Sequence, residues 1–275
     1  MPNNPDISLR RRLIVLDIII PLTLLFTLLG RWYFFAFVFI VLLISGWELW
    51  RLFRIGGFAP SLGVILLGIL ALSLSRQLWG FQSSDLIVAG ILIAAMAVHL
   101  IQQQRGAQTS AVDFMVTVGA TLYLGWLGSY ALSMRSTPLG LYWVLMVFPA
   151  VSLADAGGYI FGRLFGKQKI ADKVSPNKTW AGYFGGILLG VLGTWGIGAL
   201  FHVIVPSITA LHGLIIGLVI SVLTPLGDFG ESMLKRQFNV KDTSNILPGH
   251  GGILDRIDSS LWAAAIGYAL ILLLQ

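Results

Sequence analysis

The stretch AGYFGGILLGVLGTWGIGALFHVIV, residues 181–205, decides the fold class of this chain. It contains no Asp, Glu, Lys or Arg, and it exceeds the roughly 17 residues that a helix needs to cross the hydrocarbon core of a bilayer. Similar apolar stretches lie at 13–29, 32–50, 60–75, 86–101, 112–133, 139–160, 208–226 and 260–274. We therefore predict an all-α polytopic integral membrane protein with about nine transmembrane helices.

The composition agrees with a membrane protein. Of the 275 residues, 56% are hydrophobic and 11% are charged, which leaves too few polar groups to cover a water-soluble surface. The same composition excludes disordered and fibrous proteins. The chain has no cysteine, so a bound metal would need oxygen or histidine ligands.

The basic residues predict the orientation in the membrane. With a cytoplasmic N terminus, only Arg31, Arg76 and Arg135 of the 18 Lys and Arg residues face outward. Cytoplasmic loops are enriched in Lys and Arg, so this asymmetry favours that orientation and supports the number of spans. The first span follows three arginines but precedes no cleavage site, so we expect a retained helix rather than a signal peptide.

The chemistry of the chain changes near residue 150. Residues 1–150 are expected to be transmembrane scaffold helices with short connections, and residues 151–275 a catalytic transmembrane region with two polar loops at 161–180 and 228–259. Two spans separate these loops, so both are expected on the cytoplasmic side, where they can share one site. Seven of the 12 acidic residues lie at or after Asp155, and charges placed between bilayer helices usually serve function.

The first loop contains a candidate phosphate-binding segment, SPNKT at 175–179. Pro176 is expected to form a turn, while Ser175 and Lys178 supply donors just before a helix whose N-terminal dipole favours anions. Simple anchoring by positive charge is the alternative for the lysines of this loop. The spacing of a Walker phosphate loop is absent.

Three glycines spaced by four follow this segment, at Gly182, Gly186 and Gly190. In membrane helices such a repeat usually allows close helix packing. We expect packing rather than ligand contact.

The second loop begins with four polar residues spaced for one helix face. A helix starting after Pro225 would align Asp228, Glu231, Ser232 and Lys235. Carboxylates beside a basic loop suit a polyphosphate bound to Mg²⁺, since the cation prefers oxygen ligands. Alternatively, Glu231 and Lys235 form an ordinary i, i+4 ion pair.

The loop ends with a second carboxylate pair, Asp255 and Asp258, at the entrance of the last span. Asp255 lies beside glycines that admit close approach of a ligand, whereas Asp258 could instead cap the last helix. His250, in the sequence PGHGG, could donate to a phosphate, ligate a metal or hold the turn.

These motifs resemble those of the phosphatidate cytidylyltransferases, also called CDP-diacylglycerol synthases. Residues 232–258, SMLKRQFNVKDTSNILPGHGGILDRID, contain the family's S-x-x-K-R, K-D, H-G-G and D-R-x-D elements in order. The first loop is similar to the family's G-R-x-x-G-K and S-P-K-K-T-x-E-G elements. Two positions differ, because Asn177 replaces a lysine and Ala181 a glutamate.

The resemblance implies a nucleotidyltransferase that uses CTP and phosphatidic acid, with Mg²⁺ and room for a second cation. It places Asp228 and Asp255 as metal ligands, with Glu231 and Asp258 as nearby support. The remaining predicted site residues contact substrate or its phosphates, and they are Lys178, Lys235, Arg236, Ser175, Asn177, Lys241, Asp242, His250 and Arg256. The expected partners are these substrates and membrane lipid, without nucleic acid, and a homodimer is one candidate assembly. The expected location is the inner or plasma membrane.

Two other functions fit parts of the sequence. A CTP-dependent polyprenol or phytol kinase would also need a nucleotide and Mg²⁺ in a membrane site, but it would release CDP rather than pyrophosphate. A transporter of phospholipids or ions is less consistent, because the charges gather at one membrane face instead of the midplane.

The predicted topology can be tested with single cysteines. Cysteines introduced as Lys169→Cys or Lys241→Cys should resist an impermeant thiol reagent in intact cells, because both loops are predicted to be cytoplasmic. Ser207→Cys, in a predicted outer loop, should react and serves as the control. Labelling of either loop from outside would contradict the predicted topology.

Overall fold

The structure is a computed structural model that describes residues 19–247, 249 and 251–274 of the chain. These residues are almost entirely helical. The helices are α1 (Ile19–Leu29), α2 (Arg31–Ile55), α3 (Leu62–Trp79), α4 (Ser84–Gln104), α5 (Ser110–Thr121), α6 (Leu127–Ser136), α7 (Gly140–Phe165), α8 (Trp180–Ile204), α9 (Ala210–Leu223), α10 (Pro225–Gln237) and α11 (Leu254–Leu274). A π-helical turn, Leu122–Trp126, connects α5 to α6. The predicted all-α class is confirmed.

Eight helical segments of the described residues are long and apolar enough to cross a membrane. Two of them combine neighbouring helices, since α5 and α6 form Ser110–Ser136 and α9 and α10 form Ala210–Gln237. Each of the eight overlaps one predicted span. Helix α1 is shorter and matches the described part of the predicted span 13–29. The prediction of a polytopic membrane protein is therefore confirmed.

A small hairpin interrupts the helices between α7 and α8. Strand β1 (Lys169–Ala171) pairs antiparallel with β2 (Ser175–Thr179), with an irregularity in the register. The turn lies at residues 172–174, so the expectation that Pro176 forms a turn is wrong. The fixed φ of proline is compatible with an extended strand, and its missing N–H is tolerated where strand pairing is irregular.

The described residues group into two compact units. One comprises residues of 1–136 and 237–257, and the other comprises residues of 137–236 and 258–275. The boundaries fall at the end of α10 and within α11. The predicted division near residue 150 concerned function and stays a prediction. The compact units divide the chain differently, because segment 237–257 belongs with the N-terminal helices.

In the first unit, α3 packs against α2, α4, α5 and α6. Its core contains apolar side chains such as Leu49, Ile65 and Ile69, all at most 2% exposed. Buried Asp113 accepts hydrogen bonds from the backbone N–H of Ala59 at 2.7 Å and from the Thr109 hydroxyl at 2.7 Å. This carboxylate therefore stabilises the connection between α2 and α3.

In the second unit, α7, α8 and α9 pack closely through glycines. A Cβ at Gly182 would lie 2.7 Å from the carbonyl oxygen of Gly158, and one at Gly186 would lie 2.8 Å from that of Ala154. A Cβ at Gly190 would collide with the Ser221 hydroxyl. The predicted packing role of this glycine repeat is confirmed, because a side chain at Gly182 or Gly186 would meet the backbone of α7 and force the helices apart. Gly182 and Gly186 also line a cavity, so the expectation that the repeat does not contact a ligand stays a prediction.

Two glycines of α8 offer a matched test of this packing. A Cβ at Gly198 would lie 2.8 Å from the carbonyl oxygen of Thr209, whereas a Cβ at Gly196 has no atom within 4 Å. Gly198→Ala should therefore destabilise the protein by about 1–3 kcal/mol. Gly196→Ala should be neutral or stabilising, since alanine favours the helix. Thermal unfolding in detergent measures both, and equal melting temperatures would contradict the packing argument.

Candidate active site

The second unit contains a cavity of about 360 Å³ between the hairpin and helices α7 to α10. Four charged or amide side chains line this cavity, and they are Asp155, Asn177, Lys178 and Asp228. Ser175 and Thr179 add hydroxyls, and glycines of α7 and α8 line another part of the wall. The small side chains that permit close helix packing therefore also leave room for a ligand beside the polar groups.

An ion pair between Lys178 and Asp228 lies in this cavity. The Lys178 Nζ is 2.5 Å from Asp228 Oδ2, and the side chains are 28% and 33% exposed. Strand β2 supplies the lysine, and the first turn of α10 supplies the carboxylate. The lysine also lies over the ring of Phe229, with Nζ 4.9 Å from the ring centroid. Both charges remain accessible to a polar ligand.

Helix α10 begins at Pro225 and aligns its polar residues as predicted. The Ser232 hydroxyl donates to Asp228 Oδ1 at 3.2 Å. One turn further, Lys235 Nζ lies 3.4 Å from Glu231 Oε1. Glu231 is 1% exposed, so the i, i+4 ion pair considered from the sequence is present and buried.

Asp258, in the same unit, lies near the carboxylates of α10. Asp228, Glu231 and Lys178 lie close enough to influence its charge. Its Oδ1 also accepts from the backbone N–H of Ser259 at 2.6 Å. The structure therefore brings together three of the four predicted carboxylates. Among the described residues, no group of three or more Asp, Glu and His side chains has the arrangement of a ready-made metal site.

Arg236 contacts the hairpin rather than the cavity. Its Nε donates to the carbonyl oxygen of Val174 at 3.4 Å, and its side chain is exposed. This contact links the end of α10 to the turn that precedes β2.

In the first unit, Asp255 organises the second polar loop. Its Oδ2 accepts from the backbone N–H groups of Gly252 at 2.7 Å and Thr243 at 3.0 Å, and from the Thr243 hydroxyl at 2.9 Å. Gly251 has φ +81° and a Cβ there would lie 2.8 Å from Asp255 Oδ2. The glycines of the H-G-G element are thus required by backbone conformation and close approach.

Glu48 also contacts this loop, and the sequence interpretation missed it. The side chain is fully buried in α2, and it accepts from the Ser244 hydroxyl at 2.5 Å and from the N–H groups of Ile253 at 3.0 Å and Leu254 at 2.7 Å. The available signal was an acidic residue inside the predicted span 32–50, since intramembrane carboxylates are costly unless they have a role.

The other predicted residues of this loop are exposed. They are Lys241, Asp242 and Arg256. Predicted His250 lies outside the described residues.

The cavity also contains residues that the site prediction omitted, chiefly Asp155, Tyr159 and Tyr183. Tyr183 donates its hydroxyl to the carbonyl oxygen of Val222 at 3.0 Å, and Tyr159 accepts from Arg163 Nη1 at 3.1 Å. Asp155 could have been found from its position at the end of an apolar span, directly before the first polar loop.

Comparison with known proteins identifies the family of the chain. A model of the Cytidylyltransferase family matches residues 10–274. The chain belongs to the cytidylyltransferase family. A phosphatidate cytidylyltransferase of Synechocystis sp. is 30% identical over 94% of this chain and 96% of that protein. Similar proteins of the same name occur in Staphylococcus epidermidis, 41% identical over 56% of this chain and 57% of that protein, and in Brucella suis, 33% identical over 66% and 64%.

The family membership confirms the resemblance deduced from the two polar loops. As a cytidylyltransferase, the chain is a nucleotidyltransferase enzyme. The active site of such an enzyme needs groups that bind the substrate phosphates and leave the reacting atoms accessible. One cavity contains three groups that can bind a phosphate: the partly exposed ammonium of Lys178, the hydroxyl of Ser175 and the amide of Asn177.

Proposed function

We propose that this chain is a phosphatidate cytidylyltransferase, which converts CTP and phosphatidic acid to CDP-diacylglycerol and pyrophosphate in phospholipid biosynthesis. The observation that carries the proposal is the accessible Lys178–Asp228 pair in a cavity walled by apolar membrane helices. The nucleotide and the phosphate of phosphatidic acid need charged groups, and the two acyl chains of phosphatidic acid need an apolar surface. The similarity to phosphatidate cytidylyltransferases along nearly the whole chain supports the same reaction.

The composition of the cavity suits this reaction. A phosphate oxygen of phosphatidic acid attacks the α-phosphorus of CTP, and the bond from that phosphorus to the β-phosphate oxygen breaks to release pyrophosphate. The attacking oxygen is already ionised near pH 7, so no strong general base is needed. The cavity is accordingly lined by phosphate-binding and acidic groups rather than by histidine.

Lys178 is the central phosphate contact in this proposal. Its ammonium group neutralises phosphate charge, and Ser175 and Asn177 donate hydrogen bonds beside it. Substrate phosphates would compete with Asp228 for this lysine. Before substrate binds, the ion pair with Asp228 holds Lys178 in place.

The donor set in the cavity fits a hard divalent cation such as Mg²⁺. Mg²⁺ is usually held by one or two carboxylates, together with waters and substrate phosphates, so a cluster of three acidic residues is not required. Asp228 would hold the ion, with Asp155 in the same cavity as a second oxygen donor. The bound ion would neutralise charge on the departing pyrophosphate.

The roles of the other predicted residues remain part of the proposal. Asp255 is a proposed ligand, and Glu231 and Asp258 are proposed supports of the metal site. The proposed phosphate contacts beyond Lys178 are Lys235, Arg236, Lys241 and Arg256. Asp242 and His250 are further proposed substrate-binding residues. We also propose that the reaction occurs at the cytoplasmic face of the inner membrane, where the basic loops are predicted to lie, and that a homodimer is the candidate assembly.

A direct assay tests the reaction. Purified protein in detergent, given CTP labelled in the cytidine, Mg²⁺ and phosphatidic acid, should form a labelled lipid and release pyrophosphate. Release of CDP with a lipid alcohol as acceptor would instead indicate a kinase. Failure to label lipid with any phosphatidic acid would contradict the proposal.

The proposed carboxylate ligands can be tested by charge removal at constant volume. Asp228→Asn and Asp255→Asn should each lower the rate on the order of 10²-fold, comparable to other lost electrostatic contacts in active sites, while the protein stays folded in detergent. Asp172→Asn, at an exposed position of the hairpin turn, is the matched control and should keep its rate. Near-normal turnover of either variant at saturating Mg²⁺ would remove that residue from the ligand set.

The two residues that differ from the family pattern, Asn177 and Ala181, lie in different secondary-structure elements. Asn177 is exposed on β2 and lines the cavity. Ala181 is the second residue of α8 and is half-buried. A lysine at 177 would therefore add charge to the cavity, whereas a glutamate at 181 would act from the helix N terminus.

Restoring the family residues should alter substrate binding. Asn177→Lys should lower the apparent KM for CTP or phosphatidic acid in a salt-sensitive manner, because it adds a cation beside Lys178. Ala181→Glu should lower the Mg²⁺ concentration for half-maximal rate, since a carboxylate is tolerated near a helix N terminus and attracts the cation. Unchanged dependence on CTP, phosphatidic acid and Mg²⁺ would place both positions outside the working site. Loss of activity in Ala181→Glu would mean that this helix start excludes a carboxylate.

A further inference from the structure

A carboxylate of the N-terminal scaffold holds the polar loop that contains Asp255. Glu48 is fully buried in α2, and its carboxylate oxygens accept hydrogen bonds from residues about 200 positions later in the chain. The donors are the Ser244 hydroxyl and the N–H groups of Ile253 and Leu254, with the Thr243 hydroxyl more distant at 3.5 Å.

Two of these donors belong to the start of α11. Leu254 is the first residue of that helix, and Ile253 precedes it. The first N–H groups of a helix have no partner within the helix, and they carry its positive dipole end. Glu48 therefore caps α11 from another helix. This contact fixes the position of the first turn of α11, which contains Asp255 and Arg256.

Glu48 and Asp255 share the residues they hold. The Thr243 hydroxyl lies 2.9 Å from Asp255 Oδ2 as well as 3.5 Å from Glu48 Oε2. Gly252 donates its N–H to Asp255 at 2.7 Å, and a Cβ at this position would lie 2.6 Å from Glu48 Oε1. The two carboxylates thus hold residues 243–244 and 252–254 between them, and only glycine fits at position 252.

An aromatic contact fixes the other end of the same loop to α2. The ring of Phe238 packs against Phe53, with ring centroids 5.2 Å apart and nearly perpendicular planes, and it fills the space that a side chain at Gly56 would need. Helix α2 therefore holds the loop at its beginning through Phe238 and at its end through Glu48.

We propose that Glu48 is a positioning residue for nucleotidyl transfer, which sets the geometry of Asp255 through its contacts with residues 243–244 and 252–254. The inference rests on the proposed function, because it gives the loop a part in that reaction. Glu48 itself is buried among its donors and contacts no reacting atom. Residues that orient a metal ligand typically change metal affinity or activity by about 10–100-fold when they are replaced.

The test compares Glu48→Gln with wild type and with Asp113→Asn. Glutamine keeps the volume of Glu48 but turns an NH₂ group toward donors. Asp113 is the matched control, since it is also fully buried in the same unit and also accepts from a backbone N–H and a hydroxyl, but the connection it holds contains no predicted site residue. Both variants should lose thermal stability in detergent.

Only Glu48→Gln should change the reaction well below its melting temperature. We expect a kcat about tenfold or more lower, or a Mg²⁺ requirement about tenfold or more higher, per folded protein. Hydrogen exchange of the Ile253 and Leu254 amides should also accelerate at least tenfold, and this can be measured without substrate or metal. Asp113→Asn should leave kcat, Mg²⁺ dependence and these two amides unchanged.

The outcomes separate this inference from the proposed function. If wild type forms no CDP-diacylglycerol, the proposed function fails, and the exchange measurement still reports whether Glu48 holds the loop. If Glu48→Gln resembles Asp113→Asn in kcat and Mg²⁺ dependence, the positioning role is wrong. Should Glu48→Gln fail to fold, Ser244→Ala removes one donor and leaves the carboxylate. A smaller change in the same direction is then expected, and no change would overturn the inference.

Discussion

A carboxylate buried in a membrane helix must be surrounded by hydrogen-bond donors, and in this protein that requirement connects the scaffold to the polar loop. Glu48 obtains its donors from Ser244, Ile253 and Leu254. A buried polar group without partners costs several kcal/mol, so the loop and α2 stabilise each other only when both are in place. The order of the loop therefore depends on a helix whose residues 32–50 contain no other charged side chain.

The need of buried polar groups for partners also explains how the charged residues of the second unit are arranged. The charged residues of α10 pair with one another or with the hairpin, as Lys235 does with Glu231 and Lys178 with Asp228. The deeper pair is nearly inaccessible, whereas the pair in the cavity is about one-third exposed. The Lys178–Asp228 pair is therefore the more accessible of the two to a phosphate from solvent.

Sequence reasoning succeeded where the deciding interaction is local. The apolar spans, the aligned face of α10 and the glycine contacts of α8 depend on residues a few positions apart or on a regular repeat. It failed for Glu48, because the partners of that carboxylate are about 200 positions away, and for Asp155, whose place in the cavity depends on how α7 packs. The strand at Ser175–Thr179 was missed because proline and asparagine usually indicate a turn.

The hairpin has a consequence for the depth of the protein in the bilayer. A two-stranded sheet leaves N–H and C=O groups unpaired along both outer edges, and such edges are not tolerated against lipid tails. Strands β1 and β2 must therefore be hydrated, while α8 begins immediately after them at Trp180, which is 42% exposed. Tryptophan prefers the boundary between headgroups and hydrocarbon, so we expect this side chain at the water–lipid boundary. A Trp180 at that boundary would bring Lys178, two residues earlier, close to the level of the lipid phosphates.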